Sequence, residues 1–274
     1  MTEDPTPAPE PIPSPDLDPD PARREIRLQI EVPGTPEHVW QAIATGPGIS
    51  SWYVPHTVQE RPGGAATASF GPGPEMQVPG RVAVWEPPHR IVFTGVDEGP
   101  GLAFEWLVEA RGTGSCVVRL VNSGFGDGLP WDDQYDDMVG GWTLFLRNLW
   151  LHRRYFPGQA ATSGLPMARW SVSDDASWPR LLEALGLPAD PKVGSRIATT
   201  GDGVPPLAGV VLDARSNSLS LLLDEPAVGT GLLAAEGTGR TCTVSAWVYL
   251  YGAYAAERAA EHTATWNAWL AHPR

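Results

Sequence analysis

The sequence is poor in cysteine and has no long run of apolar residues. Its two cysteines, Cys116 and Cys242, are too few for a disulfide framework and have no CxxC or Cys/His companion, so we expect a reduced, cytoplasmic protein. No apolar stretch approaches the roughly 20 residues that a membrane helix requires, and the N-terminus lacks the basic-then-hydrophobic pattern of a secretion signal. We therefore expect no association with a membrane.

Basic residues are also scarce. The chain of 274 residues has 19 lysines and arginines against 32 aspartates and glutamates, which gives a formal net charge of -13. Binding to a phosphate backbone depends on clustered basic side chains that displace counterions. Nucleic acid is therefore not an expected partner.

Signatures of catalysis and of metal binding are missing as well. The sequence has no GxSxG elbow, P-loop or dinucleotide fingerprint. Its histidines stand far apart and in no HExxH spacing; they are His38, His56, His89, His152, His262 and His272. We therefore predict no metal and no cofactor, and we assign no catalytic residue.

One long amphipathic segment, from Trp131 to Phe156, predicts a helix. Its apolar residues recur at three- and four-residue steps, the spacing of one helical face; they are Tyr135, Met138, Val139, Trp142, Phe145, Leu146, Leu149 and Phe156. The helix begins with an acidic cluster, made of Asp132, Asp133, Asp136 and Asp137. We interpret this cluster as a solvated helix start that suits the helix dipole, because no histidine or further acid nearby completes a cation site.

The N-terminal half predicts a tail, a strand and two short helical pieces. Residues 1–24 are rich in proline and acid and offer almost nothing to bury, which predicts disorder. Residues 26–32 alternate apolar and polar, the pattern of a half-buried strand. Thr35, Pro36 and Glu37 form a helix start, and we expect a break at the Gly-Pro-Gly of residues 46–48.

A series of short strands follows. Gly and Pro turns separate them, and their expected ranges are 67–70, 78–85, 90–94, 102–110 and 116–121. Short strands joined by tight turns predict an antiparallel meander, and the long helix closes the unit. A curved sheet around one helix would bury both apolar faces.

Several local patterns in this unit carry a family resemblance. They are the strand 26–32 with the Pro-Glu-His-Val-Trp of 36–40, the pair Trp52-Tyr53, the GRVAVWEPP of 80–88, and Gly141-Trp142 with Leu146 and Leu149. The unit resembles the START-like, or SRPBCC, superfamily, and more closely the branch named after the activator of Hsp90 ATPase homologue (AHSA1-like). This resemblance implies an α+β helix-grip (START/Bet v 1-like) fold, with a curved antiparallel sheet around a long C-terminal helix.

The C-terminal part contains a faint repeat of the first unit. The GRVAVWE of 80–86 is echoed at 209–215, and the GTGSC of 112–116 is echoed by the GTGRTC of 237–242. Helices are expected at 177–185, where Gly186 ends the helix, and at 257–270. We predict a START-like domain at 25–157 and a second, reduced copy at 166–274; alternatively, the second part only packs on the first and covers it.

Aromatic residues are the candidates for a binding site. The chain has 12 tryptophans, and aromatic walls suit apolar ligands. The candidate ligand-binding residues are Trp52, Tyr53, Phe104, Trp106, Tyr135, Val139, Trp142 and Phe145. The same rings could instead fill the space between sheet and helix as a packed core.

The resemblance implies three functions. Superfamily members commonly enclose a cavity, so we favour a non-enzymatic protein that binds a small hydrophobic molecule. The superfamily also contains polyketide cyclases; a cyclase- or hydrolase-like enzyme would need polar groups in the hollow, for which His56, Arg81 and Tyr135 are the candidates. The family name suggests a co-chaperone, although the name-giving proteins carry a large N-terminal domain where this chain has an acidic tail. A homodimer and the ligand's identity are left open.

Overall fold

The computed structural model of the chain contains two compact units. It describes residues 10–17, 25–71, 73–96, 101–112, 114–125, 129–172, 174–238 and 241–272, and the side chains at 129–134, 136, 137, 174, 175 and 238 are not described. Among the described residues, the N-terminal unit lies within 13–160, and the C-terminal unit lies within 161–272 and includes residues 10–12. The domain limits of 25–157 and 166–274 stay a prediction. Most of the predicted disordered tail lies outside the described residues.

In its described residues, the N-terminal unit has one antiparallel sheet, three α-helices and one turn of 3-10 helix at Pro74–Met76. Its strands are β1 (Asp16–Leu17), β2 (Ile26–Pro33), β3 (His56–Val58), β4 (Ala65–Ser69), β5 (Gln77–Glu86), β6 (Arg90–Gly95), β7 (Ala103–Arg111) and β8 (Ser115–Ser123), and its helices are α1 (Pro36–Ala44), α2 (Gly46–Ser50) and α3 (Leu129–Tyr155). The sheet order is β1-β2-β8-β7-β6-β5-β4-β3. Strands β4 to β8 thus form the predicted meander, the unpredicted strand β3 extends it beside β4, and β2 joins it through β8. This arrangement confirms the α+β helix-grip fold.

The start of the unit follows the sequence pattern closely, with one difference. Strand β2 buries alternate residues, as its apolar–polar alternation predicts. Helix α1 begins at Pro36 with Thr35 as its N-cap. The Gly-Pro-Gly of residues 46–48, expected to be a break, instead forms the first turn of α2. The Thr45 hydroxyl accepts a hydrogen bond from the Gly48 amide (3.1 Å), and Pro47 needs no partner for its missing N–H at a helix start.

Helix α3 lies along β2. Near one end of the strand the Tyr135 hydroxyl donates to the Glu25 carbonyl (3.2 Å), and near the other the Arg153 Nε donates to the Pro33 carbonyl (3.3 Å). An α-helix rises about 1.5 Å per residue and a strand about 3.3 Å per residue. The helix from Tyr135 to Arg153 is therefore about as long as the strand segment from Glu25 to Pro33, and the two elements run side by side. Leu146 and Leu149 on α3 are fully buried.

The C-terminal unit repeats this topology in a reduced form. Its elements are β9 (Thr162–Gly164), β10 (Met167–Trp170), α4 (Asp174–Ala184), β11 (Arg196–Ala198), β12 (Ala208–Ala214), β13 (Ser218–Glu225), β14 (Gly229–Thr238), β15 (Thr241–Leu250) and α5 (Ala255–Leu270). The order β10-β15-β14-β13-β12-β11 matches β2-β8-β7-β6-β5-β4, and β9 pairs with β15. The two echoed segments fall on β12, the counterpart of β5, and on the β14–β15 hairpin, the counterpart of β7–β8. The two sheets therefore fit a tandem arrangement.

The end of α4 shows how one residue terminates a helix. Gly186 has a φ of +64°, in the left-handed region. Its amide donates to the Glu183 carbonyl (3.0 Å), and the Leu187 amide donates to the Leu182 carbonyl (2.9 Å). These are the bonds of a Schellman-type helix end, which glycine accommodates without a Cβ clash.

Two further features of the structure concern membrane-spanning helices and disulfides. Among the described residues, no helix is both long and apolar enough to cross a membrane. Cys116 and Cys242 are both buried and form no disulfide.

Candidate functional site

The N-terminal unit contains a partly open cavity of about 410 Å³ between its helices and its sheet. Helices α1 and α2 with the loop after them form one wall, strands β4 to β7 form the floor, and α3 covers the top. The lining residues are Ile43, Ile49, Trp52, Tyr53, His56, Ala66, Thr67, Ala68, Phe70, Val78, Pro79, Gly80, Phe93, Thr94, Gly95, Leu102, Phe104, Trp106, Met138 and Trp142.

Small residues on three adjacent strands keep the floor open. Ala66 on β4 lies opposite Gly80 on β5, and Gly80 lies opposite Gly95 on β6. A Cβ built at Gly80 would lie 2.7 Å from the Thr94 carbonyl oxygen, closer than such atoms approach in proteins. The close approach of β5 and β6 therefore requires glycine here, and the row of small residues leaves space above the sheet.

Aromatic rings form the wall beneath α3. Trp142 on α3 contacts Trp106, with ring centroids 5.5 Å apart, and Phe104, at 5.6 Å. Trp106 also contacts Trp52 edge-on at 5.6 Å. The Trp52 Nε1 donates to the Ala42 carbonyl (2.8 Å), so this indole is satisfied within the protein. The rings present apolar faces and edges to the cavity.

The lining also contains polar side chains: the hydroxyls of Thr67 and Thr94, and the two titratable groups His56 and Tyr53. The His56 Nδ1 lies 2.8 Å from the Val54 carbonyl oxygen. Because a carbonyl only accepts, Nδ1 carries the proton, and Nε2 of the neutral ring keeps a lone pair that bonds no described residue. Burial lowers the pKa of His56, an effect that its bond to Val54 partly opposes. Burial likewise raises the pKa of the Tyr53 hydroxyl, so both groups are neutral near neutral pH.

The structure brings together most of the residues that the sequence singled out. Trp52, Tyr53, Phe104, Trp106 and Trp142 line the cavity. Tyr135, Val139 and Phe145 do not line it. The Tyr135 hydroxyl donates to the Glu25 carbonyl, and its ring packs on Phe125. The Phe145 ring contacts the Tyr53 ring edge-on, with centroids 4.4 Å apart. The assignment of ligand-binding residues stays a prediction.

The polar groups named for an enzyme do not converge. Of His56, Arg81 and Tyr135, only His56 lines the cavity. The Arg81 Nε donates to the Thr94 hydroxyl (3.4 Å). The side chains of the acidic cluster on α3 lie outside those the structure describes. Elsewhere in the described part of the chain, no group of three or more His, Cys, Asp or Glu residues is arranged to hold a metal.

The antiparallel sheet and the long helix, with a cavity between them, give the N-terminal unit a helix-grip architecture. A comparison with protein-family models adds to the fold: residues 33–150 match the model described as "Activator of Hsp90 ATPase homolog 1-like protein". The resemblance seen in the sequence is thereby confirmed over these residues. No curated protein matches the chain.

Similar solved structures match either about half of this chain or most of it. The solution structure of the Aha1 dimer from Colwellia psychrerythraea is 19% identical, with a TM-score of 0.40, and the match covers 48% of this chain and 96% of that one. DynU16, from the dynemicin biosynthetic locus, is 18% identical with a TM-score of 0.43, covering 92% and 97%. The di-domain ARO/CYC BexL, from the BE-7585A biosynthetic pathway, is 17% identical with a TM-score of 0.42, covering 91% and 95%. With identities and TM-scores this low, these likenesses assign no activity to this chain.

Proposed function

We propose that the N-terminal unit binds a small, mainly apolar molecule that carries one hydrogen-bond donor. The observation that carries this proposal is the cavity of about 410 Å³ between the sheet and α3. Its volume lies within the range of about 300 to 1,000 Å³ that is typical of ligand sites. The binding belongs to the AHSA1-like domain that we predict at 25–157.

The lining favours a ring-bearing apolar ligand. A ligand that packs against aromatic residues such as Phe104 and Trp142 would be stabilised by burial of its apolar surface and by edge-to-face ring contacts. An ionised ligand would lose its hydration without gaining a counter-charge, because no charged side chain lines this cavity among the described residues.

His56 adds a requirement for one donor. Its Nε2 is an acceptor held in place by the bond from Nδ1 to the Val54 carbonyl (2.8 Å). A hydroxyl on the ligand would donate to this nitrogen, and such a bond contributes roughly 0.5 to 1.5 kcal/mol. Since Arg81 and Tyr135 lie outside the lining, we favour binding over catalysis.

A direct test is calorimetric titration of the full chain with 1-naphthol, compared with a variant whose cavity is filled. Ala68 lines the cavity opposite His56 across β3–β4, and Ala68→Phe would place a phenyl ring in the hollow. The matched control is Ala65→Phe, because Ala65 is exposed on the other face of the same strand. We expect one naphthol per chain for the wild type and for the control, and no binding for Ala68→Phe.

The stability of Ala68→Phe separates a hollow from a filled core. A ring entering a real cavity buries apolar surface and should stabilise the unit by about 1 to 2 kcal/mol, whereas overpacking a filled core should destabilise it by about 1 to 3 kcal/mol. Destabilisation, or wild-type protein that does not bind 1-naphthol, would contradict the proposal.

A further inference from the structure

The C-terminal unit contains a cavity of its own, of about 280 Å³. One wall is α5, and the other is formed by the end of β13 and the segment just before β12. In the N-terminal unit, α3, the end of β6 and the start of β5 take the corresponding places. The second cavity therefore occupies an equivalent position in the topology, although its lining is polar where that of the first is apolar.

His262 forms the buried base of this second cavity. Only 4% of the residue is exposed, and its Nε2 lies 2.8 Å from the Ala246 carbonyl oxygen. Nε2 therefore carries the proton, and Nδ1 presents a lone pair that bonds no described residue. Burial lowers the pKa of His262 to about 4, so the ring is a neutral acceptor near neutral pH. The ring of the fully buried Trp266 lies beside it, with centroids 5.4 Å apart.

The charges around the cavity are mainly negative. Glu261 forms an ion pair with Arg258 (2.8 Å), while Glu225 lines the cavity and makes no ion pair with any described residue. Two donors also line the cavity: the Arg258 guanidinium, which Glu261 neutralises, and the buried Trp266 Nε1, which has no hydrogen-bond partner among the described residues. An anion would still face the Glu225 carboxylate and the imidazole lone pair. A metal ion is not favoured either, since the described residues offer no cluster of three metal-ligating side chains.

We propose that this cavity binds a small organic cation with N–H donors, such as a primary amine. Glu225 would supply the counter-charge, the Nδ1 of His262 would accept one N–H, and the ring of Trp266 would contribute an aromatic face. The net charge of -13 on the chain adds a long-range attraction for cations. This inference is independent of the apolar site in the N-terminal unit.

The test is calorimetric titration of the full chain with benzylamine, with benzyl alcohol as the neutral analogue, at about 0.15 M salt to screen non-specific attraction. Glu225→Gln removes the counter-charge, and Glu257→Gln is the matched control because Glu257 is an exposed acid on α5 that does not line the cavity. We expect one benzylamine per chain. Its affinity should fall about ten-fold in Glu225→Gln and stay unchanged in Glu257→Gln, the effect of losing one charge-assisted bond.

Three outcomes would overturn the inference: no saturable benzylamine binding, binding that Glu225→Gln leaves unchanged, or equal affinity for benzyl alcohol. Loss of benzylamine binding in Ala68→Phe would also overturn it, because the amine would then occupy the apolar cavity of the other unit.

Discussion

The buried neutral state of His262 predicts that the C-terminal unit loses stability in mild acid. The folded pKa of His262 is about 4, below the value of about 6.5 for an unfolded chain. The unfolded state therefore binds more protons between these two values, so stability falls as the pH falls from 6.5 towards 4. Below 4 both states are protonated, and this contribution declines no further.

The size of the effect follows from the two pKa values. Between about pH 7.5 and pH 5, the linkage relation gives a loss of about 2 kcal/mol from this one residue. His262→Gln removes the titration, and its amide retains an N–H that can reach the Ala246 carbonyl. The variant should therefore lose about 2 kcal/mol less than the wild type over the same pH interval.

The assay is urea unfolding at both pH values. Unfolding is monitored by pulsed hydrogen exchange of the β15 amides, which report on the C-terminal unit. His272→Gln is the matched control, because His272 is exposed in the same unit and should leave the pH dependence as in the wild type. If His262→Gln shows the same acid loss as the wild type, the imidazole is not held neutral by burial, and the reasoning is wrong.

Two further substitutions, the first with a matched control, test the packing of the N-terminal unit by urea unfolding. Gly80→Ala should destabilise the unit by about 1 to 3 kcal/mol, because the new Cβ would lie 2.7 Å from the Thr94 carbonyl oxygen. The control Gly95→Ala should be nearly neutral, because its Cβ meets nothing within 4 Å. Equal effects of the two substitutions would refute the close approach of β5 and β6. Leu149→Ala should cost about 2 to 5 kcal/mol because Leu149 is fully buried on α3, and a loss below about 1 kcal/mol would mean that α3 does not pack as described.

The elements with a strong period could be predicted from the sequence. Strand β2 alternates over its whole length, and the long helix has an unbroken apolar face, so both were expected within two residues of their bounds. Strand β3 (His56–Val58) was missed because three residues are too few to show a period. A second short helical piece was expected only after a break at residues 46–48, but α2 begins at Gly46, because the Thr45 cap rather than the composition of these residues starts the helix.

The cavity could be predicted only in part. Large aromatic residues such as Trp106 and Trp142 mark an interior surface, but periodicity is the same whether the rings fill a core or line a hollow. What opens the hollow is the row of Ala66, Gly80 and Gly95, and small residues carry no hydrophobic signal. Their role depends on cross-strand register, which the sequence does not contain.

The crystal structure of the protein soaked with 1-naphthol tests the central claim most directly. We predict density for the naphthol between Phe104 and Trp142, with its hydroxyl within hydrogen-bonding distance of the His56 Nε2. A cavity closed by repacked side chains, or naphthol found only on the outer surface, would contradict the account.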